Sequence, residues 1–164
     1  YEIRLSLVGS DMCIRDRKSI MSVSIAVGTR LPAYATSMGR VLLAGLPPRE
    51  LMARLEAVEP RPLTERTLTD REQLGAQIAA VRRAGWAVVD QELELGLRSV
   101  AVPVTDAQGT VVAAVNASMR VSLGTGDVES LDERVVPALQ RCARALSADV
   151  AISGHTGFLS SGGS

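Results

Sequence analysis

The most regular hydrophobic pattern in the chain predicts a helix over residues 69–84. Its apolar positions recur at the three- and four-residue spacing of one helix face: Leu74, Ile78 and Val81. Thr69 and Glu72 have the spacing of a capping box, in which each side chain satisfies an unpaired amide at the helix start. Gly85 supplies the expected C-terminal stop.

Two shorter helices are predicted upstream of it. The first spans residues 37–44, and its inward positions are Val41, Leu42 and Ala44. The second begins at Pro47 and Pro48, because proline suits the first turn of a helix. Its apolar positions are Leu51, Leu55 and Val58. Residues 59–68 are expected to form a loop.

A last helix is predicted over residues 128–150. Its apolar stripe consists of Val128, Leu131, Val135, Leu139, Cys142, Leu146 and Val150. Pro137 should kink this helix, because proline cannot donate the backbone hydrogen bond of a helix interior. Since Cys142 falls on the stripe, we expect it to pack in the core and not to act as a reactive thiol.

Four runs rich in β-branched residues predict strands: 19–27, 86–90, 98–106 and 110–119. Residues 28–32 are expected to form a turn, and residues 107–109 have the composition of a hairpin turn. This order of elements does not alternate as a parallel sheet requires. It predicts an α+β fold, in which helices pack across one antiparallel sheet.

Composition indicates a single soluble domain without direct affinity for DNA. The 164 residues are 46% hydrophobic and 22% charged, and the formal net charge is zero. A nucleic-acid-binding domain normally shows a basic excess. No apolar run reaches the roughly 20 residues of a membrane-spanning helix. Cys13 and Cys142 lack metal-site spacing, which favours a reduced, cytoplasmic setting.

The two ends of the chain are expected to lie outside the domain, which we assign to residues 18–152. Residues 1–17 resemble a peptide translated from sequencing-adapter DNA, and the alternative is an ordinary strand and turn. The chain opens with Tyr1, which suggests a fragment. Residues 153–164 are rich in Gly and Ser and should form a mobile tail, which holds the single histidine, His155.

The helix start at Ser37, Met38 and Gly39 is the first candidate site. Amides at a helix start lack intrahelical partners, and the helix dipole adds partial positive charge. Ser37 can cap the helix, and Gly39 would let a ligand approach the backbone. Such a start can hold a carboxylate, although every capped helix offers a similar arrangement.

The second candidate combines Arg98 and Ser99 with the acidic run that precedes them. One of these two residues must point toward the core side of its strand, while the glutamates of the run are expected to be exposed. An inward Arg98 needs an anionic partner. A ligand carboxylate would serve, and so would an internal pair with Asp90 or Glu92.

The third candidate is Asn116 with Ser118 in an apolar strand. Period two places both side chains on one face, where they either line a polar pocket or meet water. The chain offers no nucleophile–base pair and no metal-ligand cluster. We therefore expect neither catalysis nor a cofactor or metal.

Three segments together resemble the C-terminal effector-binding domain of the IclR family of transcription regulators. They read GTRLPAYATSMGRVLLAGL, LTERTLTDREQL and VRRAGWAVVDQELELGLRSVAVPVTDAQGTVVAAVNAS. The resemblance covers residues 18–152. Within the family, the sequence of these segments is most similar to the branch that senses aromatic acids such as protocatechuate or 4-hydroxybenzoate. Serine replaces Asn116 in members that sense small keto acids, so the ligand here should differ from theirs.

The resemblance implies a GAF/profilin-like sheet and assembly as a homodimer or tetramer. DNA would be bound only by an N-terminal winged helix-turn-helix that this chain lacks, and no membrane would be involved. The implied pocket for a small, aromatic carboxylate effector is lined by Ser37, Met38, Gly39, Arg98, Ser99, Asn116 and Ser118. The alternatives are an enzyme on a GAF-like scaffold and a ligand-free oligomerisation module.

Overall fold

The centre of the fold is a three-stranded antiparallel sheet. The computed structural model describes residues 2–4, 29–121 and 128–156. The sheet has the order β3–β4–β5, and its strands are β3 (Ala87–Asp90), β4 (Leu97–Thr105) and β5 (Val111–Arg120). All three strands were predicted. The predicted strand over 19–27 and most of the two predicted end segments lie outside the described residues.

The hairpin turn between β4 and β5 forms as predicted. The Asp106 side chain accepts hydrogen bonds from the amides of Gln108 and Thr110, each at 2.9 Å. Gly109 adopts a φ of 80°, a conformation that glycine adopts without steric strain. The turn fixes the register of the hairpin, in which Ser99 lies opposite Ser118.

A second, two-stranded pairing joins β1 (Glu2–Arg4) to β2 (Arg30–Pro32). The predicted turn over residues 28–32 is therefore wrong for its last three residues. Their partner, β1, lies far away in the sequence, so no local pattern predicts the pairing. The adapter origin of residues 1–17 stays a prediction.

Three helices lie on one side of the sheet: α1 (Ser37–Gly45), α2 (Pro48–Ala57) and α3 (Arg71–Ala84). Helix α1 contacts all three strands, α3 packs against α1, and α2 packs against α3. A short 3₁₀ turn, Ala33–Ala35, precedes α1. The shared core contains residues from each helix and from the sheet: Val41, Leu43, Ala44, Leu55, Leu74, Ile78, Val81, Ala87 and Ala101. The predicted stripe of α3 is confirmed.

Both helix caps differ by one residue from the prediction. Thr36, and not Ser37, caps α1 by accepting a hydrogen bond from the Gly39 amide. Asp70, and not Thr69, caps α3, because its Oδ1 accepts from the Gln73 amide at 2.8 Å. Ser, Thr and Asp are all good capping residues, so their order along the chain could not decide between neighbours. Gly85 ends α3 with a φ of 74°, as predicted.

The buried face of α1 is also rotated relative to the prediction. Leu43 is buried in the core, whereas Leu42 is only half-buried. Two adjacent leucines suit neighbouring helix faces equally well by pattern. The packing of Val41 and Ala44 against the sheet selects the face that includes Leu43.

The long helix α4 (Val128–Thr156) packs on the other face of the sheet and runs through Pro137 as one element. Val102 and Val104 of β4 contact its residues Leu139, Ala143 and Val150. The expectation that Cys142 lies in the core is wrong, because this thiol is exposed, and Leu146 is 40% exposed. Helix α4 contains two adjacent apolar stripes, and the buried one includes Val136 and Ala143.

Helices on both faces of an antiparallel sheet confirm the predicted α+β class. Across the parts of the chain that the structure describes, none of the helices combines the length and apolar character that crossing a bilayer requires.

A buried ion pair joins α1 to the segment between β3 and β4. Arg40 Nη2 lies 2.6 Å from Glu92 Oε2, and the Arg40 side chain is 3% exposed. Arg40 Nε donates to the Tyr34 carbonyl, and Glu92 Oε2 also accepts from the Leu68 amide at 3.0 Å. The expected exposure of the glutamates in the acidic run is therefore wrong for Glu92. Its partner is 52 residues away in sequence.

We expect Asp70→Ala to lower the free energy of unfolding by about 0.5–2 kcal/mol, because the cap of α3 is lost. Thr69→Ala should change it by less than about 0.5 kcal/mol, as is usual for exposed side chains. Urea denaturation of the two variants measures both values. Equal losses would contradict the assignment of the cap to Asp70.

Glu92→Gln should destabilise the domain by about 3–5 kcal/mol, because it leaves the Arg40 charge buried without an anionic partner. The control is Glu50→Gln in the exposed Glu50–Arg54 pair, for which a loss below about 1 kcal/mol is expected. Chemical denaturation checks both. A loss at Glu92 no larger than at Glu50 would show that the buried pair is unimportant.

Candidate functional site

The alternation of β4 sorts its polar residues onto two faces. Ser99 and Ala101 lie on one face, opposite Ser118 and Asn116 of β5. Ala101 belongs to the core that α1 and α3 share. The structure therefore brings Ser99, Asn116 and Ser118 together on the face of the sheet against which α1 packs.

The two polar residues of β5 are hydrogen-bonded to each other. Asn116 Nδ2 donates to Ser118 Oγ at 3.1 Å. Asn116 is half-buried, and Ser118 is exposed. The carbonyl oxygen and the second N–H of the Asn116 side chain thus stay available for other partners. The predicted sharing of one face by these two side chains is confirmed.

Two contacts fix the direction in which α1 crosses the sheet. Near its start, Arg40 pairs with Glu92, which follows shortly after Asp90, the last residue of β3. Near its end, Gly45 lies so close to Val111 that a Cβ on Gly45 would be 2.5 Å from the Val111 Cβ. Since Val111 begins β5, α1 starts at the opposite end of the sheet, where β3 ends and β4 begins.

The start of α1 therefore lies at the end of the sheet that carries the polar side chains. Ser99 is near the beginning of β4, and Ser118 is near the end of β5. Ser37 is buried at 1% exposure, and Met38 is half-buried against the core. The first-turn amides of a helix have no intrahelical partners, so this end of the sheet combines backbone donors with hydroxyl and amide side chains.

Gly39 has a role different from the expected one. A Cβ at this position would lie 2.1 Å from the Ala33 carbonyl oxygen. The space beside its Cα is filled by the preceding turn and is not open to a ligand. The expectation that Gly39 lets a ligand approach is therefore wrong. Its small size instead lets α1 fold back closely onto the Ala33–Ala35 turn.

Arg98 lies on the opposite face from Ser99. Its Nη1 is 3.7 Å from Asp90 Oδ1, directly across from it in the β3–β4 register. Asp90 Oδ2 also accepts a hydrogen bond from Arg66 at 3.0 Å. The expected partner of Arg98 was either a ligand carboxylate or an internal carboxylate, and the structure shows the internal one, Asp90. Because Arg98 and Asn116 lie on opposite faces of the sheet, the structure does not bring them together.

Val89 belongs to the same surface and was missed by the sequence patterns. It lies opposite Ser99 in the register and is 3% exposed. Alternation in the β3 segment shows that Val89 shares a face with Ala87, but only the pairing with β4 shows which face that is. Val89 and Ala101 give the polar cluster an apolar floor.

A separate cavity lies at the other end of α1. Its volume is about 100 Å³, and it is lined by Val41, Ala44, Gly45, Val81, Arg82, Gly85, Pro103 and Val111. This volume is smaller than the roughly 150 Å³ of an engineered cavity that binds benzene. It is therefore too small for an aromatic acid.

The chemistry available at the start of α1 is hydrogen bonding to an anion or a polar ring substituent. Within residues 2–4, 29–121 and 128–156, no group of three His, Cys, Asp or Glu side chains could hold a metal ion. The exposed Cys142 lies on α4, across the sheet from Asn116.

The family model "Bacterial transcriptional regulator IclR C-terminal" matches residues 14–148. The chain is 49% identical over 127 residues to the Pca regulon regulatory protein of Pseudomonas putida, covering 77% of this chain and 43% of that protein. It thus spans less than half the length of this curated relative.

Two solved structures are similar to the domain. One is a transcriptional regulator from Rhodococcus sp. RHA1, with a TM-score of 0.76, 52% identity, and coverage of 82% of this chain and 54% of that chain. The other is a double mutant of the inducer-binding domain of the PobR transcription factor from Acinetobacter, in complex with 3-hydroxybenzoic acid. Its TM-score is 0.68 and its identity 34%, covering 77% of this chain and 73% of that chain.

The family and these relatives are transcriptional regulators, which confirms the prediction that the domain is not an enzyme. The resemblance seen in the sequence is confirmed over most of the chain. The chain belongs to the IclR family of bacterial transcriptional regulators and matches the C-terminal domain of that family.

Proposed function

We propose that this domain senses a small aromatic carboxylate, which binds between the start of α1 and the polar face of the β4–β5 hairpin. One observation carries the proposal: α1 begins at the end of the sheet where Ser99, Asn116 and Ser118 share a face. Backbone donors and polar side chains from distant parts of the sequence thereby lie at one place.

The carboxylate of the effector would lie at the amides of Ser37 and Met38. Unpaired amides and the helix dipole favour an anion there. Thr36 already satisfies the Gly39 amide, so the donors that remain for a ligand are those nearer the start. Gly39 contributes to the site by its close packing on the Ala33 backbone.

The aromatic ring would lie against the apolar floor of Val89 and Ala101, and its polar substituents would face Asn116 and the two serines. Asn116 can donate and accept at once, and serine hydroxyls can do the same. A double mutant of the related PobR inducer-binding domain binds 3-hydroxybenzoic acid, a ligand with a carboxylate and one hydroxyl. The donors and acceptors on the hairpin match that chemistry.

The effector would act on DNA binding elsewhere in a longer protein. Relatives about twice as long as the matched segment, and the neutral charge of this chain, support placing DNA recognition in a separate N-terminal winged helix-turn-helix. We propose a cytoplasmic homodimer or tetramer. Effector binding would favour one arrangement of the subunits and so change DNA affinity.

We expect 3-hydroxybenzoate to raise the melting temperature of the domain, by an amount equivalent to about 2.7 kcal/mol at 100 times its dissociation constant. 4-Hydroxybenzoate and protocatechuate extend the series. 3-Hydroxybenzyl alcohol, which lacks the carboxylate, is the matched control and should cause no shift. If none of the acids shifts the melt, the proposed function is wrong.

Asn116→Ala should weaken binding of the acid that gives the largest shift by about two- to tenfold, since a lost hydrogen bond is worth about 0.5–1.5 kcal/mol. The control is Gln108→Ala in the exposed hairpin turn, for which we expect unchanged affinity. Isothermal titration calorimetry measures both. Equal affinities of the two variants would remove Asn116 from the site.

A further inference from the structure

The segment between α2 and α3 forms a closed loop over the end of the sheet. Residues 61–68, here called the strap, contain neither helix nor strand. The chain segments that flank it are held together by Arg71, whose Nε and Nη2 donate to the Val58 carbonyl at 3.2 and 2.9 Å. The two sides of the strap are therefore anchored to each other.

Threonine hydroxyls hold the strap on the segment that follows β3. Thr64 Oγ1 donates to the Gln91 carbonyl, and Thr67 Oγ1 donates to the Glu92 carbonyl, each at 2.7 Å. The Leu68 amide donates to Glu92 Oε2. These bonds attach the strap to Glu92, whose carboxylate is the buried partner of Arg40.

A second attachment leads to the turn before α1. The Tyr34 hydroxyl donates to the Arg61 carbonyl at 3.1 Å and accepts from the Arg61 amide at 3.0 Å. Arg40 donates to the Tyr34 carbonyl. The strap and the first turn of α1 thus share two partners, Tyr34 and Glu92.

Polar bonds, and not burial, hold most of the strap in place. Leu63 is 44% exposed, and Arg61, Pro62, Glu65 and Arg66 are also exposed. Segments with few buried apolar contacts open at lower free energy than a core does. The strap, held in this way, is therefore expected to open at lower free energy than the core.

The strap is anchored on a strained residue. Gln91 has a φ of 60°, which is uncommon for a residue with a side chain. Its amide donates to the Leu97 carbonyl at 2.7 Å, and its Oε1 accepts from the Gly96 amide. Such strain persists only where surrounding bonds enforce it, so the Thr64 bond to Gln91 helps to define this conformation.

We propose that closure of the strap is coupled, through Glu92 and Arg40, to order in the first turn of α1. Binding of the effector at that turn would stabilise the closed strap, and opening of the strap would weaken binding, because coupling between sites is reciprocal. The assignment of the effector to this turn rests on the proposed function. The coupling between strap and helix does not.

Thr67→Val tests the coupling without any ligand. It removes the hydroxyl that bonds to Glu92 and accepts from the Leu63 and Thr64 amides. Hydrogen exchange of the full chain, followed by NMR, should become about tenfold faster at strap amides and also at the Gly39 and Arg40 amides of α1. Faster exchange confined to the strap would overturn the proposal.

Two further variants separate loss of the hydroxyl from general damage. Thr67→Ser keeps the hydroxyl and should restore slow exchange at both places. Thr69→Val alters an exposed threonine just outside the strap and should change neither. If Thr67→Ser exchanges as fast as Thr67→Val at Gly39, the hydroxyl contact is not the link and the proposal fails.

A final comparison uses 3-hydroxybenzoate as the probe. Slower exchange at the strap amides of the wild-type chain, once the acid shifts the melt, supports the proposal, whereas a melting shift with unchanged strap exchange overturns it. If the acid causes no shift while Thr67→Val still speeds exchange at Gly39, the coupling stands and only the proposed function is wrong.

Discussion

The buried ion pair between Arg40 and Glu92 is the interaction on which this end of the domain depends. It joins the first turn of α1 to the segment after β3, and Glu92 Oε2 also accepts a hydrogen bond from the Leu68 amide. Two charges removed from water are tolerated only when each satisfies the other. The pair therefore helps to fix the start of α1 at this end of the sheet, and with it the helix amides of the proposed effector site.

The alternation of β4 gives the sheet two different faces, one of which carries the proposed effector site. Ser99 and Ala101 face the short helices, whereas Val102 and Val104 face α4 and form the second core. Arg98 lies on the α4 face and pairs with Asp90. One strand thus supplies both residues of the proposed effector site and the packing that holds α4.

Two parts of the chain that are held in different ways meet at the start of α1. The helix is held by its Thr36 cap, by the close packing of Gly39 on Ala33 and by the buried pair. The neighbouring strap is held mainly by hydroxyl and backbone bonds. A sensor needs both, because a preorganised site gives affinity and an element with two accessible arrangements lets binding shift a population. The IclR family assignment gives that arrangement a regulatory context.

Local patterns in the sequence determined the elements of the fold. The stripe of α3, its glycine stop, the hairpin turn and the shared face of Asn116 and Ser118 all follow from periodicity and turn chemistry, which act over a few residues. Tertiary structure alone decided which neighbour caps a helix, which of two stripes of α4 is buried and which of Arg98 and Ser99 faces α1. It also decided that Glu92 is buried. Those outcomes depend on partners dozens of residues away, since a sheet register or an ion pair is set by how whole elements pack and not by the spacing within any one of them.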